Sequence, residues 1–428
     1  MKKTLLLIAC FSLFYSICFS QVYTEKKTRH RFAQLNLGLD IETNFGGRTS
    51  YLDNQGTLNS IQLSSSIRPR FVIGGTHFWG HADFYIAIPF SSSTQEQADQ
   101  EIESLRGVET VFKYYPLRIE HKKLRPFVGV SIAPFYFEQS NQSIMFGDGP
   151  ELYHTNLPIM GGFTFNLGNH LLELGVAWNP FHKQEYSIAR DQIATVNTPP
   201  LYANISYRYM IETTLSAERL WESGETETIT EKLANAKMLD GFFLGVGMSS
   251  AFWLGESSYN TAERPFLKSY GISVMPDFSL GYYFHQPDIS IATGYRRYGT
   301  FTNAYGTLQS SNRRSFLLEA TKVFGDYHGF VPFIGPCVSY ENLVFRESFE
   351  GDLIHDIAEN KFAYGLTFGW DIRPTRMENW LLRTNLRWYP NLQLQVEEDR
   401  KISFNTIEFN FIQLIVYPNR FFWKREKA

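Results

Sequence analysis

The chain has almost no cysteine: three in 428 residues, at Cys10, Cys18 and Cys337. The first two fall in an N-terminal leader, so the mature polypeptide keeps Cys337 alone and an intrachain disulfide is excluded. Outside that leader there is no apolar run of about 18 residues, which excludes a helical membrane protein. No broad basic field exists to hold nucleic acid: removing Lys2 and Lys3 takes the formal charge from −3 to −5 (−3 minus 2). There is no G-x-S-x-G, no H-E-x-x-H and no phosphate loop, so hydrolase, zinc-protease and nucleotide chemistry lack their usual signatures. Nothing calls for a cofactor.

What is present begins with the leader. Lys2 and Lys3 form a basic start, and Leu5 to Cys18 is apolar. Cys18-Phe19-Ser20 is an acceptable cleavage site, leaving Gln21 as the first mature residue. Residues 1–20 therefore read as a signal peptide. Ile17, where a small residue is expected, weakens a lipoprotein reading of Cys18. Aromatic residues make up 16% of the chain, mostly Tyr and Phe. Soluble domains rarely carry so many, whereas outer-membrane barrels need aromatic girdles at both interfaces.

The chain also repeats itself. Leu171-Leu172-Glu173-Leu174-Gly175-Val176-Ala177-Trp178-Asn179-Pro180 returns as Leu381-Leu382-Arg383-Thr384-Asn385-Leu386-Arg387-Trp388-Tyr389-Pro390. Arg125-Pro126-Phe127-Val128-Gly129 returns as Val331-Pro332-Phe333-Ile334-Gly335, and Pro69, Phe71 and Gly74 return as Pro276, Phe278 and Gly281. An offset near 206–210 is too long for a solenoid repeat or one propeller blade. It is the size of a whole small β-domain.

Strands are legible by period two. In Leu35-Asn36-Leu37-Gly38-Leu39-Asp40-Ile41-Glu42 the odd residues are apolar and the even ones polar or Gly. Eight such segments fit the first half, near 33–44, 61–76, 82–90, 107–117, 124–138, 157–167, 169–179 and 200–211. Eight fit the second, near 241–252, 270–284, 287–297, 314–324, 329–345, 361–372, 379–390 and 403–417. Short turns alternate with long polar loops, the latter near 45–60, 91–106, 139–156, 180–199, 253–269, 298–313, 346–360 and 391–402. That is the pattern of periplasmic turns against extracellular loops. The wet faces carry Gly, Ser, Thr and sparse charges of both signs, which suits a narrow lumen better than the outside of a soluble sandwich. The domains expected are 21–211, a connector at 212–240 and 241–428. In the connector, Thr228-Ile229-Thr230-Glu231 reads as a capping box opening a short helix.

The strands with Arg125-Pro126-Phe127-Val128-Gly129 and Val331-Pro332-Phe333-Ile334-Gly335, with the aromatic-rich last strand of each half, resemble the eight-stranded outer-membrane β-barrel proteins of the OmpA/OmpX-like kind. More narrowly, the chain resembles the outer-membrane β-barrel domains of Bacteroidota, present twice in tandem. The resemblance implies an all-β, transmembrane, antiparallel up-and-down barrel in the outer membrane of a Gram-negative bacterium. One departure is that Phe421-Phe422-Trp423 is followed by Lys424-Arg425-Glu426-Lys427-Ala428, so the aromatic signal is not terminal and the tail is expected in the periplasm. Sixteen strands allow two packed barrels or one sixteen-stranded barrel around water. The long connector favours two.

Candidate functional residues are chiefly lumen charges. Inward positions include Arg68, Arg70, Asp83, Glu109, Lys113 and Glu173 in half one, and Asp277, Asp288, Glu319, Arg383 and Arg387 in half two. Mutual neutralisation explains them without any function; the functional alternative is an ion path with Arg383 and Arg387 as a cationic strip. Since Glu173 becomes Arg383 in the repeat, the two lumens should differ electrostatically. Acidic loops at Glu96, Asp99, Glu101 and Glu103, at Glu347, Glu350, Asp352, Asp356 and Glu359, and at Glu397, Glu398 and Asp399 read as solvated surface. Divalent-cation bridging to lipopolysaccharide is the sharper reading, although the spacing is not that of a calcium loop. His81 and Asp83 are the nearest thing to a catalytic pair, while His154 and His355 have no evident nucleophile. Gly241, Gly245 and Gly247 read as small lumen-facing residues, and Trp178 and Trp388 as girdle residues rather than a barrel–barrel seam. The expected role is a non-catalytic docking or structural component of the envelope, in contact with outer-membrane lipid, lipopolysaccharide and other envelope proteins. A porin and a barrel hydrolase are the alternatives.

Overall fold

The computed structural model describes residues 32–53, 55–143, 147–213, 225–267, 270–271, 273–326, 329–373, 377–390 and 392–421. Residues 1–20, read above as a signal peptide, most of the first half of the connector and the tail after Phe421 lie outside these. No helix among the described residues is long and apolar enough to cross a membrane, which says nothing of a crossing made by strands.

Eight strands form the first barrel: β1 (Ala33–Phe45), β2 (Ile67–His77), β3 (Ala82–Pro89), β4 (Glu109–Tyr114), β5 (Leu124–Asn141), β6 (Ile159–Leu167), β7 (His170–Trp178) and β8 (Leu201–Glu212). Each pairs antiparallel with its neighbour, and β8 returns to β1 in unbroken register from Gln34↔Glu212 to Phe45↔Leu201. A helix, α1 (Glu225–Asn235), precedes the second barrel. That barrel comprises β9 (Gly241–Trp253), β10 (Ser273–Phe284), β11 (Ile289–Ala304), β12 (Thr307–Val323), β13 (Phe330–Phe349), β14 (Asp352–Ile372), β15 (Trp380–Tyr389) and β16 (Thr406–Val416), closed by the pairing of β16 with β9. A short helix, α2 (Ser258–Glu263), sits in the first loop of this half. The protein is thus two tandem eight-stranded barrels, not one of sixteen strands.

The period-two pattern builds these walls directly. Successive side chains point to opposite faces of a strand. On β7 burial alternates without a break: Leu171, Glu173, Gly175 and Ala177 point in, while Leu172, Leu174, Val176 and Trp178 are exposed. Across both barrels the exposed wall is Leu, Ile, Val, Phe and Tyr, and the buried lining is rich in Asn, Ser, Thr, Asp, Glu and Arg. That inverts the layout of a water-soluble protein and is the arrangement of a membrane-spanning barrel.

Three expectations need correction. Residues 298–313 and 346–360 are not loops. They are the upper parts of β11–β14, closed by two-residue turns at Tyr305-Gly306 (φ 49° and 78°) and Glu350-Gly351 (φ 50° and 95°). Two positive φ angles in sequence suit the right-handed twist of a tight hairpin. The pattern hid them because the outward face above the lipid zone mixes Gly299, Asn303 and Ser310 with Phe301 and Leu308 while polar residues also face inward, blurring the contrast that marks a strand. Secondly, the loops near 45–60, 91–106, 180–199 and 391–402 are hairpins of their own, pairing Arg48–Leu52 with Leu58–Gln62, Ser93–Gln97 with Gln100–Arg106, Lys183–Ala189 with Gln192–Asn197, and Gln393–Glu397 with Arg400–Ser403. Thirdly, α1 begins at Glu225, so Thr228 lies inside the helix and does not cap it.

The barrels meet side by side. Phe84 of β3 packs on Phe411 of β16 (4.7 Å between ring centroids) and on Trp370 of β14 (5.5 Å), and Phe78 packs on Phe330 (5.5 Å). Phe411 reaches this seam because β16 carries a bulge: Ile412 pairs with Met248 and Asn410 with Ser249, leaving Phe411 as the extra residue. An inserted residue of this kind re-aims a side chain. The matching irregularity in β15 lets the Thr384 hydroxyl donate to the Phe411 carbonyl at 2.7 Å. At the long-loop end, the Tyr305 hydroxyl donates to the Ser187 carbonyl (2.8 Å), its N–H to the Asp148 carbonyl (2.9 Å), and Arg190 donates to the Tyr305 carbonyl.

If the seam holds the halves together, a protease site inserted within 214–224 and cut in mild detergent leaves them co-migrating, each still heat-modifiable on gels. With Phe84→Ala and Phe411→Ala combined, the cut halves part.

Candidate functional site

The residues that carry charge converge in the two interiors. An eight-stranded barrel is just wide enough to be filled by side chains, so most lining charges meet an opposite one. In barrel one, Arg70 bonds Asp40 (Nε to Oδ2, 2.8 Å), Glu109 (2.6 Å) and Glu42 (2.8 Å). Arg106 joins Glu42 (2.7 Å) and Glu109 and lies over the Tyr202 ring at 4.2 Å. Arg68 donates to the Ser104 carbonyl and hydroxyl, both at 3.4 Å, on the same level. A second layer lies nearer the short turns. Arg208 bridges Asp83 (2.7 Å) and Glu173 (2.8 Å), while Lys113 pairs with Glu173 and donates to the Tyr85 hydroxyl (2.6 Å). Below it, Arg125 donates to Asn166 and to the carbonyls of Gly80 and Leu117, closing the floor.

Barrel two repeats the principle with different residues. Arg383 grips Asp371 with two bonds (2.7 and 2.9 Å). Arg387 links Asp277 (2.7 Å) and Glu319 (3.0 Å). Higher up, Arg313 holds Glu341 with two bonds of 2.6 Å and reaches Glu408 (3.0 Å), which also pairs with Arg296. Arg383 and Arg387 are therefore neutralised one by one and form no cationic strip. Asp288 is not in the lumen: it sits in a turn at φ 49° and accepts from the Tyr283 hydroxyl at 2.6 Å. The remaining expected lumen charges, Arg68, Arg70, Asp83, Glu109, Lys113, Glu173, Asp277, Glu319, Arg383 and Arg387, are all buried. Sequence reasoning left out Asp40, Glu42, Arg106, Arg208, Arg296, Arg313, Glu341, Asp371 and Glu408. Asp40, Glu42 and Arg208 sat on recognised wet faces, so the period-two rule alone could have named them.

Each mouth is plugged by apolar side chains. Over barrel one the hairpins fold inward and bury Ile61, Leu63, Ile102, Phe135, Phe137, Tyr186 and Val196 together. Over barrel two the cluster includes Tyr259, Phe345, Leu392, Leu394, Ile402 and Phe404. Glu347, expected on a solvated loop, is buried in this cap, held by Arg264 (2.7 Å), Tyr259 (3.1 Å) and Gln309 (2.6 Å). Asp356 pairs with Arg346, Glu359 with Lys361 and Glu397 with Arg400, so these acids are spent on neighbouring cations. Among the described residues no group of three or more His, Cys, Asp or Glu side chains could hold a metal ion.

The catalytic candidates do not assemble. The His81 ring lies 2.8 Å from the Tyr115 carbonyl, whereas the Asp83 carboxylate faces Arg208 and Asn36 in the lumen. His154 lies in the strand Leu152–Asn156, and His355 stacks edge-on against Tyr259. Gly241, Gly245 and Gly247 lie on the inner side of β9. A Cβ at Gly245 would stand 2.1 Å from the Ser279 hydroxyl, so the lumen packing itself demands glycine there. Trp178 and Trp388 are exposed on the outer walls, and other aromatic residues make the seam.

One acid at the junction of the barrels is poised to titrate. Partial burial, with the Glu138 carboxylate nearby, pushes Glu151 up to about 7. The ordinary value is 4.5. The folded state thus holds a proton that the unfolded chain has lost, and stability falls as pH rises between those values. Glu151 lines a crevice with Tyr186, Ser187 and Phe266, so both barrels contribute to it.

No protein-family model matches the chain, and no curated protein matches it. Among solved structures the chain is similar to Neisserial surface protein A (16% identity, TM-score 0.29), covering 41% of this chain and 97% of that one. It is similar to Ail, the attachment invasion locus protein of Yersinia pestis (10% identity, TM-score 0.26; 42% and 96%). It is also similar to an outer membrane channel from Pseudomonas putida F1 (7% identity, TM-score 0.21; 90% and 95%). Scores this low carry no functional argument, and the fold assignment rests on the strand pairing itself.

Two outcomes follow. Arg208→Leu leaves the Asp83 carboxylate without its cation while Glu173 keeps Lys113, and should cost about 3–5 kcal/mol, read as a lower urea midpoint of the heat-modifiable form. Glu151→Gln should flatten the loss of stability that the unaltered protein shows between about pH 4.5 and pH 7.

Proposed function

We propose that this protein is a non-catalytic integral component of a Gram-negative outer membrane, an OmpA/OmpX-like tandem barrel of the Bacteroidota kind. Its work is done by its outer surfaces, as a docking or structural element for other envelope components. The observation that carries the reading is that both interiors are filled by paired charges and capped by apolar clusters. A lumen so filled leaves little room for a water path. The porin alternative needed a single sixteen-stranded closure, and the chain closes twice. The hydrolase alternative needed His81 and Asp83 to act on one substrate, and they face different partners.

The upper parts of β11–β14 supply the surface for contact. They continue past the lipid zone as a four-stranded blade rising about 24 Å along the strands from Arg297 to Ala304, at roughly 3.4 Å per residue. Near its tip Phe301, Leu308 and Leu353 are exposed on the outer face. Large apolar groups held in water at the end of a rigid element suit contact with another molecule.

The mature chain in planar bilayers should show no steady conductance above background; open, salt-dependent channels would refute the docking role. Orientation is tested with one added thiol, since Cys337 is buried and out of reach of a soluble maleimide. With Glu350→Cys added at the blade tip, a membrane-impermeant maleimide should label intact cells, and crosslinking from that position should capture an envelope protein.

A further inference from the structure

On the outer wall of barrel two, two arginines stand directly opposite one another. Arg297 of β11 pairs with Arg314 of β12. Both are exposed. The row continues across the wall, since Arg314 pairs with Asn342 of β13 and Asn342 with Asn360 of β14. Asn342 donates to Asn360 at 2.8 Å. No carboxylate among the described residues lies within ion-pair distance of Arg297 or Arg314, although other cations on this blade have one: Arg346 meets Asp356 and Lys361 meets Glu359. Like charges directly opposite on a sheet repel, and the pair costs stability unless something neutralises it.

The row has a definite depth. Immediately below it, in the same cross-strand register, lie Tyr295, Phe316, Tyr340 and Phe362, all outward and exposed. Tyr295 and Phe316 touch with ring centroids 5.0 Å apart, and Tyr340 and Phe362 at 5.3 Å. Such aromatic belts mark the boundary of the hydrocarbon layer. From Ile289, where β11 starts at the short-turn side, Arg297 is the ninth residue. A tilted transmembrane strand needs about 9–11. The paired guanidinium groups therefore stand where headgroups lie, one step outside the aromatic belt and on the long-loop side.

We infer that Arg297 and Arg314 form a binding site for the phosphate of an outer-leaflet lipid, with Asn342 and Asn360 donating to its sugar or phosphate oxygens and the aromatic row packing on its acyl chains. The inference rests on the membrane reading above and adds a ligand class to it. Guanidinium groups suit the task because each presents a planar fork of donors to phosphate oxygens. A phosphate between them turns the repulsion of the pair into two charge-assisted attractions. The belt below adds apolar contact that a soluble anion cannot use, so a membrane lipid is the occupant favoured over free phosphate.

The test uses the full mature chain refolded in detergent, with diphosphorylated lipid A titrated in and read by native mass spectrometry. The unaltered protein should retain lipid A, and Arg297→Gln with Arg314→Gln should weaken retention by at least about tenfold, or about 1.4 kcal/mol. Arg346→Gln on the same blade should leave it unchanged, and Arg297→Lys with Arg314→Lys should recover part of the loss. Dephosphorylated lipid A should bind the unaltered protein as weakly as lipid A binds the double Gln variant. Equal retention by the double Gln variant, equal binding of the dephosphorylated lipid, or displacement by millimolar inorganic phosphate would each overturn the inference. Insertion into liposomes is scored separately: a chain that inserts but ignores the arginines refutes this site alone, and one that never inserts refutes the membrane reading as well.

Discussion

The radius of an eight-stranded barrel governs this protein. At that radius the wall leaves room for side chains and for little else. Because the outside is apolar, the period-two rule sends the polar residues inward, and there they must satisfy each other. Arg70, Arg208, Arg313 and Arg387 each bridge two or more carboxylates. Breaking such a cluster from one side leaves a buried charge uncompensated, at several kcal/mol. The interior is thus a set of interlocked ion clusters, and the functional surfaces are displaced to the outer wall, the seam and the blade.

The two halves solve the same packing problem with different residues. Barrel one places Glu173 where barrel two has Arg383, and each finds an opposite charge, from Lys113 and Arg208 in the first case and from Asp371 in the second. Two barrels of one fold can differ this way because the requirement falls on the sum of charges in a layer and not on any one position. The caps differ too: barrel one is covered by hairpins from its own loops, barrel two by α2 and the 393–403 hairpin packed on tall strands.

Much of this was legible in the chain. All sixteen wall strands were located, because lipid on one side and a polar lumen on the other impose an alternation that survives in sequences such as β7. Legibility failed where that two-sided contrast ends. Above the lipid, Thr300, Thr302 and Gln309 face inward, while Asn303 and Ser310 face outward beside Phe301 and Leu308. Nothing in that mixture announces a strand, so Arg313, inside one of the supposed loops, was missed. Arg106 was missed for the same reason, as it belongs to a hairpin that folds back over the barrel. Asp288 was misplaced because a strand start was drawn at 287, while its positive φ puts it in the turn. The seam could not be read at all. It depends on Phe411, whose direction is set by a bulge, and one extra residue leaves no mark in composition.

That bulge has a consequence for how the two barrels join. The contact is heterologous: barrel one offers its first three strands and barrel two its last four, Phe330 of β13 included. A head-to-tail contact of this type does not close on itself and could in principle run on as an open row. Here the protruding knob exists only on barrel two. The corresponding last strand of barrel one, β8, pairs with both of its neighbours without any slip in register. It therefore presents no projection like Phe411 to the first strands of another barrel, and the fit that joins these two rests on an irregularity of a single residue.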